Sequence, residues 1–270
     1  MSPRPTPSAE TVLLRVEDGV AWITLNRPDR LNAFAGDMRD RLHDAIDHAA
    51  TSPEVRVIVI TGAGRGFCTG ADVEVMSDLL SRGDDATFET LVQAGMRVIQ
   101  RLRTVAQPVI AAVNGPAAGA GASLALACDF RFASERASIG LTFNRIGLHP
   151  DWGATYTLPR LVGPGRAAEL VMTARMVEAR EAERMGLFEQ VVAEDWFPDE
   201  LKKLAKDLAA KPPLALRLAK QTLARSLAGG DLDAMLAAER EAQMRCFRSA
   251  DAKEGITAFN QKRAPVFRGE

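Results

Sequence analysis

Two glycine-rich stretches, GAGRGFCTGADV over 62–73 and NGPAAGAGASLALACD over 114–129, constrain this chain more than anything else in it. A glycine-rich turn presents a backbone N–H with no side chain in the way. Two such amides aimed at one point form an oxyanion hole, a device for stabilising charge on a carbonyl oxygen. A phosphate cradle is the competing use. GAGRG lacks the G-x-G-x-x-G spacing, however, and no G-K-[ST] follows it, so a dinucleotide or P-loop site is not indicated.

The rest of the chain supports a globular protein. Its 270 residues, 47% of them hydrophobic, suffice for one sizeable core and an appendage. A net charge of −1, from 34 basic and 35 acidic residues, argues against nucleic acid or an anionic membrane as the main partner. Cys68, Cys128 and Cys246 are odd in number and far apart, fitting neither a disulfide framework nor a metal cluster. They point to a reducing, cytoplasmic setting. The opening MSPRPTPSAE has no apolar core and reads as a loose tail, not a signal peptide. Residues 104–128 carry no charge, but Pro108, Asn114, Gly115 and Pro116 would break a membrane-spanning helix. A buried strand, a loop and a buried helix are expected there instead.

Periodicity supplies the order of elements. TVLLRVEDGVAWITLNRP alternates around Asp18-Gly19 as a hairpin does. Residues 36–50 have helical spacing, with Met38, Leu42, Ala45, Ile46 and Ala49 on one side. RVIVIT (56–61) and PVIAAV (108–113) are short runs typical of fully buried strands, DFRFAS (129–134) reads as another strand, and 88–102 is helical. The expected core, residues 11–195, is thus a layered α/β structure. From Asp199 to Phe259 the pattern is helical with one clear break at Gly229-Gly230, giving a C-terminal helical region over 196–270. Its apolar stripes need a partner, either the core or another subunit.

The segments NRPDRLNAF (26–34), VIVITGAGRGFCTGADV (57–73), PVIAAVNGPAAGAGASLALACDFRFAS (108–134), GLHPDWGATYTLPRLVG (147–163) and EGITAFNQKRAPVF (254–267) together resemble the enoyl-CoA hydratase/isomerase, or crotonase, family. The resemblance runs in order from about residue 11 to 268. It implies a spiral of ββα units whose C-terminal helices assemble trimers or dimers of trimers. It implies an acyl-CoA thioester as substrate, with coenzyme A entering only as part of that substrate and no metal or redox cofactor. The hole amides map onto Ala71, after Gly70, and onto Ala120, after Gly119. Helix-start geometry agrees with Ala120, since free N–H groups there favour negative charge. Coenzyme A contacts map onto Arg30, Leu31, Ala33, Asp72 and Val73, and onto Phe259 and Lys262 from a C-terminal helix, often a neighbour's.

One departure decides the expected chemistry. The two glutamates with which the family's hydratases place water across a double bond correspond to Ser123 and Phe143, and neither side chain is a general base. Asp151, in HPDWGAT, is the remaining acid. Its turn resembles that of Δ3,Δ2-enoyl-CoA isomerases and of the phenylacetate-pathway ring-epoxide isomerase. One carboxylate suffices for a 1,3-proton shift, and Trp152 and Phe143 beside it are expected to exclude water and raise its pKa. Asp151 as a helix cap is the plainer alternative, and His149 is the other titratable group in the turn. Ser123 is placed as a substrate contact, or else as a bond to a helix carbonyl. The expectation is therefore an enoyl-CoA isomerase, with an atypical hydratase or a silent acyl-CoA binder as rivals.

Overall fold

A computed structural model describes residues 10–270; the expected N-terminal tail lies, apart from Glu10, outside them. The chain opens with the hairpin β1 (Val12–Glu17) and β2 (Val20–Leu25), turning at Asp18-Gly19, both of which have positive φ. Then come α1 (Met38–Thr51), β3 (Val57–Gly62), α2 (Val73–Arg82), α3 (Asp85–Thr104), β4 (Val109–Val113), β5 (Pro116–Ala118) and α4 (Ala120–Ala127). The order continues with β6 (Phe130–Ser134), β7 (Ser138–Gly140), α5 (Ala154–Val162), α6 (Pro164–Thr173), β8 (Val177–Glu178), α7 (Ala179–Met185) and β9 (Gln190–Val192). Four helices close the chain: α8 (Phe197–Ala209), α9 (Pro213–Leu227), α10 (Leu232–Phe247) and α11 (Ala250–Gln261). Helices α2, α6 and α7 and the small strands β5, β7, β8 and β9 were not read from the sequence.

The main sheet runs β1-β2-β3-β4-β6-β9, antiparallel in the hairpin and parallel thereafter. Its central strands are buried on both faces, which is why they read as unbroken apolar runs. Ile58 and Ile60 of β3, with Val109 and Ala111 of β4, pack into the larger core beneath α1, α3 and α4. Val57, Val59, Ile110 and Ala112 point to the other face, where Phe197, Leu201 and Ala205 of α8 cover them. The first helix of the C-terminal region is thus the lid on the second face of the sheet. The uncharged stretch 104–128 resolves into β4, β5 and the wholly buried α4, and among the described residues no helix is long and apolar enough to cross a membrane.

Beyond α8 the pattern changes. Leu218 is the one residue of α9, and Ala238 the one residue of α10, that is buried. Leu223, Leu232, Phe247 and Ile256 stand exposed, Leu232 at 72%. The apolar stripes anticipated in this region are present and uncovered within one chain.

The turn between β5 and α4 is fixed by contact between backbones. A Cβ built on Gly121 would fall 2.1 Å from the carbonyl oxygen of Cys68, in the other glycine-rich loop. Alanine is the better helix former, yet Gly121→Ala is expected to lower stability, by about 1–3 kcal/mol for overpacking against unyielding backbone. Urea unfolding of the two proteins measures this.

Candidate active site

The glycine-rich loops leave the carboxyl ends of neighbouring parallel strands, β3 and β4, and so start side by side. Side-chain amides hold them in shape. Asn114 Oδ1 accepts from Gly62 N at 3.1 Å while its Nδ2 donates to the carbonyls of Gly62 and Gly64, each at 2.9 Å. Asn32, fully buried, donates through Nδ2 to Gly66 O at 2.8 Å and Ala63 O at 3.0 Å. Short bridges pair Phe34 with Ala71 and Cys68 with Ala117. Neither asparagine was singled out from the sequence; each sits inside a segment that carries the family resemblance.

This bracing aims two amides. Phe34 N donates to Gly70 O at 2.7 Å and Asp72 N donates to Phe34 O at 3.1 Å. Successive N–H groups of an extended backbone alternate in direction, so the N–H of Ala71 points away from Phe34. Gly70 has φ +91, and a Cβ there would lie 3.2 Å from Ala120 N and 3.0 Å from Ala118 O. The loops are therefore in contact, and only glycine tolerates both the approach and the dihedral. Gly119, φ +53, turns the chain into α4 so that Ala120 is its first residue. Among the described residues, neither Ala71 N nor Ala120 N has a protein acceptor. Two adjacent free donors, one at a helix start, make a site for a negatively charged oxygen.

Both amides open into a cavity of about 670 Å³. Its walls are largely apolar, including Met76, Phe88, Leu91, Phe143 and Trp152, with Arg39, Arg145, His149 and Asp151 as the charged or titratable groups. Among the described residues of this lining Asp151 is the only carboxylate. It stands in a turn whose next two residues, Trp152 (φ +52) and Gly153 (φ +73), are left-handed. A bulky residue rarely adopts that conformation, and here packing holds it. The Trp152 ring meets Phe34 at 4.7 Å between centroids, and its indole lies so close to α3 that a Cβ on Gly95 would be 2.0 Å from Nε1.

Among the described residues no side chain pairs with the carboxyl group. Asp151 Oδ1 is buried without a hydrogen-bond partner. Burial pushes its pKa up to about 6, against the opposing pull of the Arg39 guanidinium. The capping alternative does not describe this residue: α5 starts after Gly153 with no side-chain cap, and Asp151 contributes only its backbone carbonyl, 3.1 Å from Ala154 N.

The other singled-out residues divide by position. Gly70, Ala71, Val73, Gly119, Ala120, Phe143, Asp151 and Trp152 line the cavity. Ser123 does not: it is fully buried and its hydroxyl donates to Gly119 O at 3.2 Å, the helix-carbonyl alternative. Arg30 pairs with Glu74 at 2.7 Å, and Asp72 caps α2 through Glu74 N while binding Arg27 at 2.9 Å. These two, with Leu31 and Ala33, lie in the turns on either side of the Phe34–Ala71 bridge, outside the cavity lining. Phe259, 84% exposed on α11, and Lys262, its left-handed C-cap, are also outside that lining. Arg39, a buried cation in the cavity, was missed, because the helical pattern of α1 was read only for its apolar residues.

Comparisons agree with this geometry. A family profile described as Enoyl-CoA hydratase/isomerase matches residues 15–270. The 1,2-epoxyphenylacetyl-CoA isomerase of Escherichia coli (strain K12) is 40% identical over 268 residues, 97% of this chain and 99% of that one. The crotonyl-CoA hydratase of Syntrophomonas wolfei is 38% identical over 259 residues, 96% and 98% of the two chains. The crystal structure of an enoyl-CoA hydratase from Bacillus anthracis superposes with a TM-score of 0.92 at 34% identity, covering 97% of this chain and all of that one.

The raised pKa of Asp151 has a thermodynamic signature. The folded protein binds this proton more tightly than the unfolded chain, so stability is lost as pH rises through about 6. Asp151→Asn removes a charge that burial disfavours. The variant is expected to gain on the wild type between pH 4 and pH 7.5, by about 1–3 kcal/mol at the upper end. Denaturant unfolding at both pH values reads the difference; a constant offset would refute the unpaired carboxylate.

Proposed function

The chain belongs to the enoyl-CoA hydratase/isomerase family, and within it we propose that this protein is an isomerase that shifts a double bond in an acyl-CoA thioester. The observation that carries this reading is the single carboxylate of the cavity. Hydration by the usual route needs two acids, and the corresponding positions hold Phe143, an apolar wall, and Ser123, whose hydroxyl is turned to Gly119 O. A 1,3-proton shift needs one.

In the proposed reaction the thioester oxygen accepts the N–H groups of Ala71 and Ala120. Asp151, ionised, removes a proton from C2. The electron pair moves onto the thioester oxygen, where the two amides stabilise it, and the charge is shared through the conjugated system to C4. The protonated Asp151 then returns the proton at C4, leaving the double bond between C2 and C3. A carboxyl group with its pKa near 6 is ionised at neutral pH and still a competent acid. The sequence is redox-neutral and uses protein groups alone, so no metal or redox cofactor is called for. Substrates of this class are 3-enoyl-CoA thioesters and related strained-ring thioesters.

Coenzyme A itself is assigned to the surface at the cavity mouth, along Arg30, Leu31, Ala33, Asp72 and Val73. Phe259 and Lys262 are assigned to the nucleotide end in a neighbouring subunit, where a lysine meets phosphate as a point charge. That assignment needs the exposed apolar faces of α9 to α11 to be covered by other copies. A trimer or dimer of trimers at micromolar concentration is the expected state by light scattering, and a monomer would remove the shared site. The unpaired cysteines suit a cytoplasmic, reducing environment.

Two rivals are separable. Hydration through unconventional groups draws on His149, which shares the cavity with Asp151. A silent acyl-CoA binder would show no exchange of the C2 protons of a bound thioester. The wild type is expected to isomerise 3-hexenoyl-CoA much faster than it hydrates crotonyl-CoA. Asp151→Asn should lower isomerisation by about 10²–10⁴-fold, the usual contribution of a positioned base, with thioester affinity little changed. Fast crotonyl-CoA hydration, or an active Asn variant, would mean that the assignment is wrong. Ala120→Pro removes one hole donor at a helix position that accommodates proline, so the fold should persist while turnover falls by more than ~100-fold.

A further inference from the structure

Arg39 has no place in the proton shift, yet its position in the cavity is built with care. It lies on the core-facing side of α1 among Met38, Leu42 and Ile46, and is only 5% exposed. Among the described residues its side chain makes no hydrogen bond and no ion pair: the neighbouring acid Asp40 is taken by Arg97. Its Nε is buried without a partner, and its side chain forms part of the cavity wall. The guanidinium carbon lies over the Phe34 ring, 5.4 Å from the centroid. This cation–π contact uses none of the guanidinium's N–H donors as a conventional hydrogen bond.

The groups around it supply no counter-charge in contact. Asp151 shares the cavity but is not ion-paired with Arg39, and its Oδ1 remains unpartnered. Cys68, a further acid near it, is held neutral by burial, and its thiol donates to Asn32 O at 3.1 Å. A hydrocarbon chain filling this cavity would leave the guanidinium cut off from water with its donors unmet, which is costly. An acceptor atom on the acyl group would satisfy them. That acceptor is best uncharged, because a second carboxylate would share the pocket with Asp151 and oppose its ionisation.

We propose that Arg39 is a specificity-determining residue, and that the acyl group of the substrate carries an uncharged oxygen acceptor beyond C2, a carbonyl, hydroxyl or epoxide oxygen, bonded by the Arg39 guanidinium. This deepens the proposed function and rests on reading the cavity as the acyl site, but not on which reaction occurs there. A site built to bond a polar group discriminates strongly against the analogue that lacks it.

The test uses binding of saturated thioesters, so turnover plays no part. Hexanoyl-CoA, 4-oxohexanoyl-CoA, 5-oxohexanoyl-CoA and glutaryl-CoA are titrated calorimetrically into the wild type, Arg39→Met and Arg39→Lys at pH 7.5. At least one oxo thioester is expected to bind the wild type about 10- to 100-fold more tightly than hexanoyl-CoA, the range for one satisfied bond to a charged donor. Arg39→Met should abolish the preference by weakening the oxo thioester and strengthening hexanoyl-CoA, and Arg39→Lys should retain part of it. Equal affinities for hexanoyl-CoA and both oxo thioesters, or a preference surviving in Arg39→Met, would overturn the proposal. Tightest binding of glutaryl-CoA would overturn its uncharged acceptor. A preference for the oxo thioester in a protein that isomerises nothing would uphold Arg39 while refuting the proposed reaction.

Discussion

Contact between two loops governs everything else in this protein. The backbone at Gly70 touches the backbone at Ala118 and Ala120, and Gly121 lies against the carbonyl of Cys68. No side chain fits between them. Because the loops leave adjacent parallel strands, sheet register sets where the contact begins, and Asn32 and Asn114 set the curvature of the first loop by binding its carbonyls. Free amides at Ala71 and Ala120 are the by-product of that packing. In the proposed function the two donors are therefore positioned by the fold itself before any ligand arrives, as electrostatic stabilisation requires.

Around the hole the chain distributes the remaining tasks over separate elements. The acid is supplied by a turn before α5, the buried cation by α1, and much of the apolar wall by α2 and α3. Phe34 links the two charged groups, with the Arg39 guanidinium over its ring and Trp152, next to Asp151, in contact with it as well. One aromatic ring therefore references the acid and the cation to the same point of the loop that borders the hole. Apolar surroundings raise the carboxyl pKa, and the cation limits the rise.

Much of this was legible in the residues. Unbroken apolar runs announced the buried strands β3 and β4, and Asp18-Gly19 announced the hairpin, because each signal is local and its physics is complete within a few residues. The clustering of Gly70, Ala71, Gly119, Ala120 and Asp151 around one cavity followed from family resemblance, not from periodicity. Strands β5, β7 and β8 were illegible since two or three residues carry no period. Arg39 escaped because charge ordinarily marks a solvated face, and nothing local says that this position of α1 faces a cavity. The asparagines escaped for a related reason: the loop partners they hold lie 31 to 52 residues away along the chain. Ser123 shows the converse, a polar residue in a matching segment whose hydroxyl is spent within its own helix.

Gly95 carries a consequence for anyone who would make this protein more robust. It sits within the twenty-residue helix α3, where glycine weakens the helix and alanine would ordinarily be the standard improvement. Here the missing methyl is the recess that receives the Trp152 indole. Filling it would drive the ring outward, and the left-handed turn that carries Asp151 would travel with it. The helix is kept locally weak so that an acid some fifty-six residues further along the chain stays in place. Thermal hardening guided by helix propensity would, at this one position, trade the placement of Asp151 for backbone order.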